Sequence, residues 1–326
     1  MKKKSSDNLK ILFFGLGSIG KKHASIIKDN FGFEMFAYRS KKHQEKNSLQ
    51  LEEFYNLDEA FSIKPDIAFI TNPTHLHIET SLECVKRNIN LFIEKPISHS
   101  LEKTDVLDKE IKKRKLFSYI AYNMRFHPVL NNLMEMIGNR EKPIYFRTIC
   151  SSYLPDWRIN QDYSKSYSSK KEYGGGVILD LSHEFDYINW LFGEIKRIEG
   201  FYGKISDLKI SSEDILNAQI TCKSGLKGDL HLDYFSHNNE RKIQIYYKNE
   251  YLEGDMINNT IKILKNKKEK TINYNYNKDF TYSKQIDYFF KNYHNSNYNI
   301  MNNFSEALKL FKKIMEFKKN NNFEIE

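Results

Sequence analysis

Over the first 123 residues, short apolar runs alternate with amphipathic segments of helical period. The apolar runs have the length of strands and lie at 9–14, 34–38, 66–71, 91–94 and 117–122; the helical segments lie at 18–29, 57–61, 75–87 and 101–115. Strands and helices that alternate at these lengths predict βαβ units, whose parallel sheet is covered by helices on both faces. We therefore predict an α/β domain with a doubly wound parallel sheet over residues 1–123.

From about residue 144 the apolar residues recur with a period of two, which is typical of antiparallel strands. This alternation over 216–222 and 226–234, with Ser224-Gly225 between the two runs, predicts a hairpin. One helix is predicted from Val177 to Phe192, where Gly193 ends it, and further helices are predicted at 283–292 and 303–319. The elements predict an α+β domain over residues 124–326 with an open, mostly antiparallel sheet. Its C-terminal helix is free to pack back on the first domain.

The chain has 326 residues, of which 40% are hydrophobic and 14% aromatic, so the collagen-like and disordered classes are excluded. Its formal net charge is +9 at pH 7, but the lysines are spread among acidic residues and no patterned aromatic motif accompanies them. We therefore predict no nucleic-acid partner; salt-dependent retention of RNA would favour one. No apolar stretch reaches about 18 residues, which predicts no membrane span.

Three cysteines, Cys84, Cys150 and Cys222, lie far apart and form no Cys-x-x-Cys pair. An odd count at such spacing argues against a disulfide framework and against a zinc site. We therefore predict no metal site and a reducing, cytoplasmic setting.

A glycine-rich turn, Gly15-Leu16-Gly17-Ser18-Ile19-Gly20, directly follows the first apolar strand and opens the first helix. In Rossmann domains such a turn binds a dinucleotide, because the glycines permit a tight turn, a close approach to the pyrophosphate, and packing of the helix on the strand. The helix N-terminus favours the phosphate charge. The alternative is an ordinary strand-to-helix turn. We predict that the cofactor is held by Gly15, Gly17, Ser18, Ile19 and Gly20.

The second predicted strand ends in Tyr38-Arg39-Ser40, where Rossmann domains that bind NAD place an acidic residue for the adenosine ribose. No carboxylate stands at this strand end. A guanidinium and a hydroxyl suit a 2′-phosphate better than a 2′-hydroxyl, so Arg39 and Ser40 predict a preference for NADP over NAD. The alternative is that both are surface residues that happen to follow a strand.

Glu94-Lys95-Pro96 closes the fourth predicted strand. The carboxyl ends of parallel strands border the crevice in which such sheets bind ligands, so a lysine there is placed to act as an acid or a base. Pro96 fixes the direction of the chain, and Glu94 is placed to orient Lys95. Taken alone, the motif is also explained by a surface lysine.

Five segments together resemble the glucose–fructose oxidoreductase, inositol dehydrogenase and rhizopine-catabolism (Gfo/Idh/MocA) family over nearly the whole chain. They are the glycine turn, Thr71-Asn72-Pro73-Thr74-His75-Leu76-His77, Glu94-Lys95-Pro96, Asn123-Met124-Arg125-Phe126-His127-Pro128 and Gly174-Gly175-Gly176-Val177-Ile178-Leu179-Asp180. The resemblance implies reversible hydride transfer between NAD or NADP and a hydroxyl or ketone of a sugar, with Lys95 exchanging the hydroxyl proton. It also implies homodimers or homotetramers formed through the open sheet.

The resemblance implies roles for further residues. Thr71, Asn72 and Pro73 are expected along the cofactor together with Glu94, Lys95 and His77, although a structural role for His77 is equally expected. Asn123 and Arg125 are expected to face the substrate.

Family members commonly carry Asp-x-x-x-His after the glycine run, whereas Asp180-Leu181-Ser182-His183 is one residue shorter. On a helix, Asp180 and His183 still share one face. We expect Asp180 to bind a substrate hydroxyl and His183 to orient it or exchange its proton. The alternative is an Asp at a helix N-terminus and a packed His.

The segment 153–173 is rich in aromatic and basic residues. Trp157 and Tyr167 offer ring faces for a pyranose, and Arg158 suits a carboxylate or a phosphate. This resembles the branch of the family that acts on acidic or nucleotide-activated sugars for surface polysaccharides, and the alternative is a mobile basic loop. A rival from another class is a non-catalytic dinucleotide-binding sensor or assembly protein, which the loss of Lys95 would favour.

Overall fold

The computed structural model describes residues 9–40, 47–158, 160–277, 279–295 and 299–321. The chain folds into two compact units. Residues 1–122 and 282–308 form the first unit, and residues 123–281 and 309–326 form the second. The first unit thus combines the N-terminal α/β segment with a stretch from the C-terminal part of the chain.

The first unit is built on a six-stranded sheet in which all neighbouring strands run parallel. Its strands are β1 Lys10–Phe14, β2 Glu34–Tyr38, β3 Glu52–Phe54, β4 Ile67–Ile70, β5 Asn90–Ile93 and β6 Ser118–Ile120. Their order is β3-β2-β1-β4-β5-β6, so the direction of growth reverses between β1 and β4, where such sheets bind ligands. The predicted doubly wound parallel sheet is confirmed.

Helices α1 Ser18–Asn30, α2 Leu57–Ser62, α3 His77–Lys86 and α4 Thr104–Arg114 connect these strands. A later helix, α8 Phe280–His294, brings Phe289 and Phe290 into the same core. At the centre, the rings of Phe69 and Phe92 stack with 4.4 Å between their centroids. Strands β4 and β5, which carry these rings, are therefore held rigidly up to the residues that follow them.

The second unit contains an eight-stranded sheet of order β14-β13-β12-β11-β7-β10-β9-β8. Neighbours are antiparallel except for β7 and β10, which run parallel. The predicted mostly antiparallel sheet is confirmed. The strands are β7 Tyr145–Tyr153, β8 Ile195–Gly203, β9 Ile215–Cys222, β10 Lys227–Asp233, β11 Phe235–Tyr246, β12 Glu250–Asp255, β13 Thr260–Lys265 and β14 Lys268–Asn273.

Three helices of this unit are α5 Pro128–Gly138, α6 Val177–Asp180 and α7 His183–Phe192, and helix α9 Phe304–Asn320 contributes its residues from 309 onward. Helix α7 is anchored at its end by Phe192, whose ring stacks on Phe146 of β7 with 4.5 Å between centroids. A Cβ at Gly228 of β10 would lie 2.5 Å from the Phe146 ring, so glycine there makes room for this anchor.

The prediction of a single helix from Val177 to Phe192 is wrong, because this segment forms two helices, α6 and α7. At the break, the N–H of Ser182 donates to Leu179 O at 3.4 Å, and that of Glu184 to Leu181 O at 3.2 Å. These bonds span three residues rather than four, so the turn is wound more tightly than an α-helix. Strand β3 is only three residues long and was not predicted from the sequence pattern.

Within the described ranges, no helix has the length and apolar character needed to cross a membrane.

Candidate functional site

The glycine turn adopts a conformation that only glycine accommodates readily. Gly15 has φ +96°, and a Cβ there would lie 3.1 Å from the carbonyl oxygen of Thr71. A Cβ at Gly20 would lie 2.5 Å from the carbonyl oxygen of Gly15. The turn is therefore packed tightly against the end of β4, as the sequence predicts for the first and third glycines.

The start of helix α1 is open. Gly17 is its N-cap, no side chain caps the helix end, and the first turn carries no acidic residue. Ser18 is exposed and Ile19 half-buried, and a Cβ at Gly17 would meet nothing within 4 Å. The first N–H groups of the helix thus face a space into which an anionic group fits. A dinucleotide pyrophosphate fits this cradle.

Thr71 ties the turn to β4. Its hydroxyl donates to Gly15 O at 2.7 Å, and its N–H donates to Phe14 O at 3.1 Å. Asn72 follows, with its side-chain amide donating to Thr80 Oγ1 at 2.9 Å, and Pro73 is exposed. The structure therefore brings Thr71 and the glycine turn together, as expected for a segment that lies along a cofactor.

Two buried histidines hold the corner that carries Lys95. His23 Nε2 lies 2.6 Å from Glu94 Oε1, while Glu94 Oε2 accepts from the N–H of Lys95 at 3.2 Å. His77 is enclosed between two carbonyl oxygens, with Nδ1 2.9 Å from Pro96 O and Nε2 2.9 Å from Asn72 O. Burial lowers the pKa of His77. Lys95 itself is half-buried directly after β5.

The residues at the end of β2 contact a carboxylate. Arg39 Nη1 lies 2.7 Å from Glu53 Oε1 of β3, and Ser40 is exposed. Glu53 also accepts from Asn47 Nδ2 at 2.8 Å and from the hydroxyl of Tyr55. Strand β3 was not predicted from the sequence, so the Glu53 carboxylate beside Arg39 was not predicted either.

In the second unit, Asp180 is the centre of a buried group of phenols. Tyr234 donates to Asp180 Oδ2 at 2.6 Å, and Tyr167 lies beside the same carboxylate. The pKa values of Tyr167 and Tyr234 lie well above the usual value for tyrosine because both phenols are buried and face the charge of Asp180. Both therefore stay protonated as hydrogen-bond donors toward Asp180.

The tight turn between α6 and α7 bears on the shortened Asp180-to-His183 spacing. Asp180 is the last residue of α6 and His183 the first of α7. In a turn closed by bonds that span three residues, positions i and i+3 lie on the same side. The tight winding therefore favours positions on the same side of the turn for Asp180 and His183.

The glycine run before Asp180 is fixed by Glu213. Gly176 has φ +109°, and a Cβ there would lie 2.3 Å from Cδ of Glu213. The N–H of Val177 donates to Glu213 O at 3.1 Å, and Lys318 of α9 forms an ion pair with the same carboxylate at 2.6 Å. The ion pair between Glu213 and Lys318 therefore holds the backbone just before Asp180 in place.

The aromatic segment forms a small, partly open cavity. It is lined by Leu154, Trp157, Arg158, Gln161, Tyr163, Ser166 and Ser168. The ring of Trp157 meets that of Tyr234 edge-on, with 5.2 Å between centroids. Arg158, one of the lining residues, is exposed. The cavity thus combines an aromatic wall with a positive charge.

Two other predicted substrate residues lie in tight internal contacts. Arg125, 3% exposed, binds Asp186 through Nε at 3.0 Å and Nη2 at 2.8 Å. The Asn123 side chain donates to Thr281 Oγ1 at 2.8 Å. These contacts position the chain around α7, and a role toward substrate stays a prediction for both.

Sequence reasoning missed His23, Glu53, Glu213 and Tyr234. His23 had a signal: it shares the packed face of α1 with Gly20, Ala24 and Ile27, where a polar residue is unusual. The period-two alternation predicted over 226–234 placed Tyr234 among core residues, so its hydroxyl was not recognised as a site group. Nothing local distinguishes Glu53 or Glu213 from surface acids.

Comparisons with known proteins agree with this arrangement. Residues 9–122 match the model of an oxidoreductase family with an NAD-binding Rossmann fold, and residues 142–253 match the GFO/IDH/MocA C-terminal domain. A myo-inositol 2-dehydrogenase of Thermotoga maritima is 28% identical over 195 residues, 57% of this chain and 55% of that protein. A scyllo-inositol 2-dehydrogenase (NAD(+)) of Bacillus subtilis is 25% identical over 43% of this chain and 39% of its own length. The matches thus span about half or less of these relatives.

Solved structures share the fold. A UDP-N-acetylglucosamine 3-dehydrogenase from Acidithiobacillus ferrooxidans superposes with a TM-score of 0.78 at 17% identity, covering 96% of this chain and 98% of that one. A levoglucosan dehydrogenase in complex with NADH and levoglucosan superposes with a TM-score of 0.82 at 14% identity, with the same coverage. Two family models that together cover most of the chain show that this chain belongs to the Gfo/Idh/MocA family of oxidoreductases.

Proposed function

We propose that the protein is an NAD(P)-dependent oxidoreductase that transfers hydride between a nicotinamide ring and a secondary hydroxyl or ketone of a sugar. One observation carries the proposal. The glycine turn, Thr71 and Lys95 follow β1, β4 and β5, which are neighbours in one parallel sheet, so they meet at one edge. That edge carries an open helix N-terminus for a pyrophosphate, and it carries Lys95, whose neighbours Glu94 and Pro96 each contact a buried histidine.

The dinucleotide, when bound, supplies the hydride chemistry, and the protein supplies position and proton transfer. Lys95 Nζ takes the proton from the substrate hydroxyl during oxidation and returns it during reduction. Glu94, held by His23, and His77, bound to Pro96 O, keep the backbone of Lys95 in one place. Asp180 accepts a hydrogen bond from a substrate hydroxyl, and His183 orients that hydroxyl.

The cavity of the second unit supports a proposal for the substrate class. Trp157 offers an aromatic face for a sugar ring, and Arg158 offers a charge for a carboxylate or phosphate. We propose an acidic or nucleotide-activated sugar. Relatives and structural neighbours that act on inositols, levoglucosan and a UDP-linked amino sugar support a polyhydroxylated substrate. We also propose that the chain forms homodimers or homotetramers through its eight-stranded sheet, which light scattering tests.

The experiment is a cofactor-reduction screen, with NAD and NADP each offered across inositols, neutral hexoses, sugar acids and nucleotide sugars. Absorbance at the reduced-nicotinamide band reports turnover. The proposal expects turnover with at least one polyol class and the fastest turnover with an anionic sugar. An Arg158→Gln variant should lose that advantage for anionic sugars while keeping neutral ones. No turnover with any substrate class, in either the oxidising or the reducing direction, would contradict the proposed activity.

A further inference from the structure

The ends of β2 and β3 bring polar side chains together next to the glycine turn. The N–H of Gly15 donates to Tyr38 O at 3.0 Å, which fixes the turn against the last residue of β2. The N–H of the next residue, Arg39, donates to Phe54 O of β3, also at 3.0 Å. Glu53 precedes Phe54 and pairs in register with Ala37. The chain that leaves β2 therefore runs beside Glu53.

Both oxygens of the Glu53 carboxylate accept hydrogen bonds. Oε1 accepts from Arg39 Nη1 and Asn47 Nδ2, at 2.7 and 2.8 Å, and Oε2 accepts from the hydroxyl of Tyr55. Burial raises the pKa of Glu53, but these hydrogen bonds outweigh it and hold the pKa below its ordinary value. The carboxylate is therefore ionised at neutral pH, and its charge balances that of Arg39.

Rossmann domains hold the adenosine ribose at this end of the second strand. A 2′-hydroxyl there needs only hydrogen-bond partners, which a charge-balanced guanidinium still offers through its remaining N–H groups. A 2′-phosphate carries about two negative charges at neutral pH. It has to compete with Glu53 for Arg39 and lie close to a like charge while it does so.

Resting on the dinucleotide site proposed above, we propose that Glu53 selects the cofactor and makes the protein favour NAD over NADP. Glu53 does so by occupying Arg39. The preference is the reverse of the one that Arg39 and Ser40 predict when the second strand is considered alone.

The test compares AMP with adenosine 2′,5′-bisphosphate, which differ only in the 2′-phosphate, by calorimetric titration of the full chain. Wild-type protein should bind AMP more tightly. Glu53→Gln keeps the shape and removes the charge that opposes a 2′-phosphate and competes with it for Arg39, so the ratio of the two Kd values should move toward the bisphosphate by about tenfold. Glu52→Gln is the matched control, because Glu52 carries the same charge on the alternate face of β3 and is exposed. Its ratio should remain that of wild type. Fluorescence titrations with NADH and NADPH should follow the same pattern.

A wild-type protein that prefers the bisphosphate overturns the inference, and so does a Glu53→Gln protein with an unchanged ratio. The wild-type ratio needs no variant, so a Glu53→Gln chain that fails to fold leaves the inference testable. If neither NADH nor NADPH binds, the dinucleotide site itself is contradicted. If both NADH and NADPH bind but Glu53→Gln leaves the ratio of the two Kd values unchanged, only the role of Glu53 is contradicted.

Discussion

His23 Nε2 lies 2.6 Å from Glu94 Oε1, and the two side chains are almost fully enclosed. His23 belongs to α1, three residues beyond the last glycine of the turn, and Glu94 immediately precedes Lys95. This one contact joins the helix that faces the dinucleotide to the corner that carries the proposed acid–base group. The rings of Phe92 and Tyr282 pack around the imidazole, so the contact is dry as well as close.

We expect His23→Leu to lower the free energy of unfolding by about 3 kcal/mol, because the Glu94 carboxylate then stays buried without this partner. Urea unfolding followed by circular dichroism measures the loss. The double variant His23→Leu/Glu94→Met removes both polar side chains of this contact and should regain most of the stability. A single variant as stable as wild type, or a double variant no more stable than the single, would show that the pair does not act as described.

The stability of the second unit should depend on pH through His127. Burial, with Arg241 nearby, lowers the pKa of His127 from 6.5 to about 4. Its Nδ1 accepts from the N–H of Val129 at 3.3 Å, so a proton on Nδ1 would remove this helix cap. Between pH 6.5 and about 4 the unfolded chain binds a proton that the folded protein excludes, so the free energy of unfolding falls as pH falls, by up to about 3 kcal/mol.

The measurement is urea unfolding at pH 7.5 and pH 5 for wild type, His127→Gln and His237→Gln. His127→Gln should show a smaller loss at pH 5, while His237→Gln, at an exposed position, should behave as wild type. His77 and His99 shift in the same direction, so part of the slope should remain. If the free energy of unfolding falls equally between pH 7.5 and pH 5 in all three proteins, His127 does not contribute to the pH dependence.

Alanine substitutions at Gly176 and Gly225 form a matched pair that tests the role of Glu213. Both have positive φ, but a Cβ at Gly176 would lie 2.3 Å from Cδ of Glu213, whereas a Cβ at Gly225 would meet nothing within 4 Å. Gly225→Ala should cost about 1 kcal/mol through backbone strain alone. Gly176→Ala should cost about 3 kcal/mol or more, because a buried carboxylate has to move as well. Equal costs in thermal unfolding would mean that Glu213 does not fix the glycine run.

The fold was predictable wherever a local pattern decides the structure. Strand β2 was predicted at its observed bounds, and the glycine turn was predicted between a strand and a helix, where the structure has it. The break between α6 and α7 was not predictable, because the apolar periodicity continues through Leu181 while the hydrogen bonding changes. Tertiary packing there overrides a pattern that by itself favours one helix.

The candidate site was predictable only in part, because several of its contacts join residues that are far apart in sequence. Glu53 reaches Arg39 through the pairing of β2 with a three-residue strand that has no pattern of its own. Arg125 finds Asp186, and Lys318 finds Glu213, across 61 and 105 residues. Motifs predict which residues carry chemistry, whereas the side chains that hold those residues in place are found only in the folded structure.

The central claim is that Lys95 moves the substrate proton in a dinucleotide-dependent hydride transfer. The most direct measurement is kcat of Lys95→Ala on the best substrate of the screen, with the Kd for NADH or NADPH measured on the same protein. Lys112→Ala, at an exposed position on α4, is the control. We expect kcat to fall about 1000-fold while the dinucleotide Kd stays within about twofold of wild type. A Lys95→Ala protein that turns over at a rate near wild type would contradict the claim.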